Sequence, residues 1–152
     1  MIHDLIQIIA AFFGSLGFAI LFNIRGKDLF WTAFGGLLDW WVYVLAGIWC
    51  TGDAFRYFYA ALFLGIYSEF MARRRKVPTT VYLVVGFIPL IPGSALFMTM
   101  NFAFAEEWQN CVHYGLVAIN TAVAIAGGIV VSMVLVNIFF SIKRKIREQA
   151  SS

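Results

Sequence analysis

Five apolar stretches, each near the roughly 20 residues that a bilayer's hydrocarbon core demands of a helix, fill most of the chain. They run over about 5–24, 29–49, 55–72, 78–104 and 114–142. In lipid no water satisfies the backbone N–H and C=O groups, and a helix is the element that pairs them within one segment. A chain divided this way is expected to be an all-α integral membrane protein with about five transmembrane helices. Composition agrees, with 62% hydrophobic residues, 12% charged ones and a mean hydropathy of +0.84. A soluble domain carries about 25% charged and about 45–50% apolar residues. At 152 residues, a soluble core has no room to hide so much apolar surface. No linker or low-complexity tract interrupts the pattern, so one transmembrane domain is expected over 1–152.

The connections between the stretches set an orientation. Arg25 and Lys27 follow the first, Arg73, Arg74, Arg75 and Lys76 the third, and Lys143, Arg144, Lys145 and Arg147 the fifth. Of the 11 basic residues, only Arg56 falls on the other side, together with Asp4, Asp53, Glu106 and Glu107. The positive-inside rule assigns the basic side to the cytoplasm. An odd number of spans follows, with the N-terminus outside and the C-terminus cytoplasmic, in a multi-pass protein of the cell (inner) membrane. No cleavable signal peptide is expected, because Asp4 and no basic n-region precede the first apolar stretch. The net charge of +3 and pI near 9.0 do not imply a nucleic-acid partner, since the cations cluster beside apolar segments instead of forming a stripe.

The fourth stretch is interrupted. Val85 to Met100 reads VGFIPLIPGSALFMTM, and Pro89 and Pro92 lack the N–H groups that would bond the carbonyls of Val85 and Ile88. Broken backbone at membrane depth survives where it is buried in protein or lines a cavity, and in transporters such breaks commonly form the substrate site. Gly93 offers turn geometries closed to other residues, and Ser94 is expected to cap a half-helix running toward Met100. The N-terminus of that half-helix suits a carboxylate. Carbonyls freed on the other side of the break suit an ammonium group or a cation. A kink sealed by neighbouring helices is the alternative.

Asp39 sits in the middle of the second stretch, where an acid costs roughly 2.5–3.5 kcal/mol on insertion scales and should face the bundle interior or water. It reads either as a protonatable relay or cation partner or as a neutral group bonded to a neighbouring helix. Glu69 lies four residues before Arg73, the favourable order for an ion pair on one helix, with a gate as the sharper reading. Asn120 and Thr121 in the fifth stretch and Gln7 in the first offer hydrogen bonds between helices. Trp31, Trp49, Tyr57, Tyr59 and Trp108 read as interfacial anchors, whereas Trp40 and Trp41 lie deep enough to pack within the bundle. Small residues recur four apart at Ala10 and Gly14, Ala61 and Gly65, and Ala124 and Gly128, which permits close helix approach.

Cys50 and Cys111 have no metal-ligand spacing and read as unrelated small residues, or as a bridge between outer loops. No phosphate loop, HExxH or G-x-S-x-G motif is present, and Ser94 has no base on its own helix. Neither an enzyme nor a cofactor is expected.

The run E-F-M-A-R-R-R-K-V-P-T-T-V-Y-L-V-V-G-F-I-P-L-I-P-G, from Glu69 to Gly93, resembles the threonine/serine exporter family: a glutamate, a basic cluster, a proline, then a P-L-x-P-G turn in the next helix. The F-N-I-R segment from Phe22 to Arg25 and the aromatic second stretch fit as well, while Asp39 falls outside the shared pattern. The resemblance implies a transporter of about ten spans, built from one chain or two, of which this chain is the small C-terminal-half subunit. It implies a larger partner subunit of the same family and a small carboxylate substrate, either threonine and serine or a dicarboxylate such as succinate. Pro89, Pro92, Gly93 and Ser94 would then shape the substrate site, with Asp39, Glu69 and Asn120 as coupling or gating candidates. A non-transporting scaffold for the larger subunit and a self-sufficient homo-oligomeric channel are the readings of other classes.

Overall fold

The computed structural model describes residues 2–149; residue 1 and residues 150–152 of the expected domain lie outside the described residues. Six α-helices follow one another: α1 (Ile2–Leu21), α2 (Lys27–Trp49), α3 (Asp53–Arg75), α4 (Thr79–Phe87), α5 (Gly93–Phe104) and α6 (Trp108–Gln149), with a 3₁₀ turn at Ile88–Leu90 between α4 and α5. No strand occurs among the described residues.

Turn chemistry sets the helix ends. α1 stops at Leu21, three residues short of the apolar run, because Asn23 turns into the left-handed region at φ 57°. The Ile24 N–H then bonds back to the Ala19 carbonyl at 3.0 Å. α3 ends the same way on Lys76, at φ 58°, and Pro78 blocks any continuation.

α1, α2 and α6 are long and apolar enough to cross a membrane, and α4 with α5 makes a fourth crossing if the pair, bent by 52°, counts as one. The sequence pattern predicts five. The difference is α3, which has the length at 23 residues but carries Asp53, Arg56, Glu69 and the arginine cluster.

Contacts along α3 give its direction relative to α6. Gly128 lies against the Phe58 backbone and Ala61, and a Cβ on Gly65 would overlap the Ser132 side chain. Farther along both helices, Arg73 stands over the Phe140 ring at 4.0 Å. The two helices therefore run parallel, and the chain must return between them, which α4 and α5 accomplish. The expected close approach at Ala61, Gly65 and Gly128 is realised here. That at Ala10 and Gly14 is not, since no other helix among the described residues comes within 4 Å of a Cβ built on Gly14.

α6 buries one seam, Ala118, Thr121, Ile125, Gly128, Ser132 and Val136, whose three- and four-residue steps suit a helix packed along one line. At 42 residues it is about 63 Å long, roughly twice a bilayer's hydrocarbon core. Ala60, Ala61, Leu90 and Ile125 form the main core cluster, with Trp40, Tyr43 and Tyr57 packed against it. Trp41 is exposed, against the expectation that it packs inside. It follows Trp40 by one residue, a 100° step that turns it off the packed face of α2.

Candidate functional site

The break between α4 and α5 closes its own hydrogen bonds. The Ile88 N–H bonds to the Val85 carbonyl, and the Ile91 N–H bonds to the Ile88 carbonyl at 3.2 Å. The carbonyls expected to be free are thus taken by 3₁₀ bonds, the usual repair when the longer α-helical bond loses its donor. Leu90, in the turn, is fully buried.

Two further expectations at the break are corrected. Ser94 is not the cap of α5. Pro92 holds that position, with no side-chain hydrogen bond to the helix start, and its carbonyl accepts the Leu96 N–H at 3.0 Å. Proline's fixed φ and ring place the turn one step earlier than the serine. Nor does Gly93 use its conformational freedom, since Gly26 is the glycine with positive φ and a Cβ on Gly93 would meet nothing within 4 Å. Gly93 and Ser94 are exposed, and Pro89 and Pro92 half-buried. The break thus presents an uncapped, accessible helix N-terminus beside a sealed turn.

Asp39 is fully buried on α2, and neither carboxyl oxygen has a hydrogen-bond partner among the described residues. One turn before it, Gly36 brings α1 close, so that a Cβ there would overlap the Ser15 side chain. Ser15 Oγ and Ser68 Oγ, on α1 and α3, are also buried without partners. Buried polar groups are normally bonded, so these unpartnered atoms mark the polar interior of the bundle. Trp40, the residue after Asp39, donates from Nε1 to Gln7 at 3.4 Å and packs on the cluster that contains Leu90. Through Trp40, α2 thus packs against the sealed turn at the residue next to Asp39.

The most extensive polar network lies at the end where the basic residues gather, and sequence reasoning missed it. Asp28, in the first turn of α2, accepts from Arg75 Nε at 2.8 Å and from the Tyr82 hydroxyl at 2.7 Å. One carboxylate thereby ties α2, α3 and α4. The hydrogen bond to Asp28 holds the Arg75 guanidinium above its ordinary range, so this partner keeps its charge. The signal available was Asp28 itself, an acid set among Arg25, Lys27 and the arginine cluster.

Glu69 makes the expected ion pair with Arg73, at 3.1 Å, and also accepts from Thr79 Oγ1 at 3.2 Å, joining α3 to α4. Asn120 stands apart, exposed on α6 beside His113 and Val123. Thr121 bonds the Val117 carbonyl of its own helix. Cys50 and Cys111 are free thiols. Arg56 pairs with Asp53 at 3.1 Å and lies 4.3 Å from the Tyr43 ring centroid.

A family model described as threonine/serine exporter, ThrE, matches residues 7–135, most of the chain. No curated protein matches, and no solved structure does.

Proposed function

The chain belongs to the threonine/serine exporter family, and from that premise we propose that it is one membrane subunit of a secondary exporter for small carboxylate-bearing metabolites, threonine and serine foremost. It works with a larger subunit of the same family. Transporter family and apolar helices together make it a multi-pass membrane protein. We read it as one domain of five crossings in the inner membrane, basic end in the cytoplasm. The parallel run of α3 and α6 supports this count, because α4 and α5 are then one bent return. The unused small-residue face at Ala10 and Gly14 supports a partner helix against α1.

The observation that carries the reading is Asp39, a fully buried carboxyl group with no partner inside a membrane-crossing helix. Intramembrane ionisable groups are costly and mark ion pathways and proton relays. Asp39 takes up and releases the coupling proton. The exposed start of α5 meets the substrate carboxylate through the Ser94 N–H, with Pro89, Pro92 and Gly93 shaping the turn, since the Gly93 N–H is already held by the Ile91 carbonyl at 2.7 Å. Glu69 steadies α3 against α4 at the entry side, and Asn120 has no part in this mechanism.

Export of labelled threonine, serine and succinate by cells expressing the chain and its larger partner tests the reading. Export that needs both subunits, and falls about tenfold or more in Asp39→Asn, is expected. Full export by the partner alone overturns it. That outcome favours the scaffold reading, for which the self-closed hydrogen bonds of the break are the specific support.

A further inference from the structure

The basic end holds a cavity of about 550 Å³ between the start of α2 and the end of α3. Lys27, Arg74 and Arg75 line it together with Trp31, Tyr67 and Phe70. Arg75 is committed to Asp28, whereas Lys27 and Arg74 have no ion-pair partner among the described residues. The walls are fixed: the Tyr67 hydroxyl donates to the Trp31 carbonyl at 2.7 Å, joining α3 to α2. Tyr67 itself lies on Gly35, where a Cβ would come within 2.7 Å of its ring.

Phe70 belongs to two cavities. It also lines an adjoining groove of about 310 Å³ between α3 and α6, whose other walls are Ile66, Leu135, Val136, Phe139 and Phe140. Ile66 lies one turn before Phe70 on α3, so the groove leads from the basic cavity toward the middle of the bundle. Unpaired cations at one end and an apolar channel at the other match an amphipathic anion. A small hydrophilic anion would use the cavity and leave the groove empty.

We propose that this composite surface binds an anionic phospholipid, with the headgroup phosphate between Lys27 and Arg74 and an acyl chain passing Phe70 into the groove. Basic pockets between membrane helices take anionic headgroups, and an exposed Trp such as Trp31 suits the interface level. The site is independent of the exporter reading, since it uses none of the residues assigned to substrate or coupling.

Purified full-length protein in mixed micelles of phosphatidylcholine and phosphatidylglycerol, followed by native mass spectrometry, tests the proposal. The wild type should retain phosphatidylglycerol selectively. Lys27→Gln with Arg74→Gln should lower that retention about 25-fold, at about fivefold per cation, with unchanged helical circular dichroism because neither side chain is in an ion pair. Phe70→Ala should weaken retention of the long-chain lipid, and inorganic phosphate at millimolar concentration should not displace it. Lys143→Gln with Lys145→Gln, altering exposed cations on the α6 extension, should leave retention unchanged. Equal loss in the two double variants would mean undirected surface charge and would overturn the proposal. So would displacement by phosphate together with indifference to Phe70→Ala, the pattern of a small-anion site.

Discussion

Asp28 and Asp39 lie on the same helix, eleven residues and so about 16 Å apart along its axis, yet their surroundings are opposite. Asp28 sits where α2 begins and receives bonds from Arg75 and Tyr82 on two other helices. Asp39 sits at mid-helix, wholly buried, with no bond to either oxygen. A carboxylate that holds three helices together explains itself as architecture. An unpartnered one at membrane depth lowers stability and persists only where it serves something else. The contrast sets a clamped basic end against a buried, unbonded carboxyl group farther along the same helix.

Substitutions that separate stability from transport sharpen that contrast. The largest effect is expected for Asp39→Ala, which removes a buried acid without breaking a bond. It should stabilise the protein by about 2 kcal/mol in reversible unfolding from micelles, and a loss of stability there would mean that Asp39 has a structural partner. Tyr82→Phe should act in the opposite sense, costing about 1 kcal/mol for one hydrogen bond to Asp28. Asp28→Asn should cost more than Tyr82→Phe in the same assay, because it weakens both bonds at once. The smallest effect belongs to Glu69→Gln, a change of roughly 0.5 kcal/mol or less, since its pair with Arg73 is local and half-exposed.

What the sequence disclosed, and what it hid, follows the range of the interactions. The all-helical, apolar character, the basic clusters and the Glu69–Arg73 pair depend on residues near one another and can be read directly. The count of five crossings, by contrast, leaned on α3, whose charges leave it less apolar than the helices that qualify as crossings. The proline break was legible because a missing N–H is a property of the residue. Its repair was not, since the 3₁₀ bonds from Ile88 and Ile91 depend on how the chain relaxes after the break. That relaxation also moved the cap from Ser94 to Pro92 and left Gly93 in ordinary helical geometry. The Asp28 clamp joins residues 47 and 54 positions apart, and no local pattern links Asp28 to Arg75 or Tyr82 before the helices are packed. Asp39 stood out as an acid at the wrong depth, but that it lacks any partner emerges only from the packed bundle.

The central claim is that Asp39 works in transport while Asp28 holds the fold. Its most direct test compares the proposed proton-driven threonine export by Asp39→Asn and wild type, each co-reconstituted with the proposed larger subunit and matched for folded protein by thermal unfolding. The account predicts an Asp39→Asn protein that melts no lower than wild type and exports about tenfold less or worse. Export at the wild-type rate from a well-folded Asp39→Asn protein would contradict it.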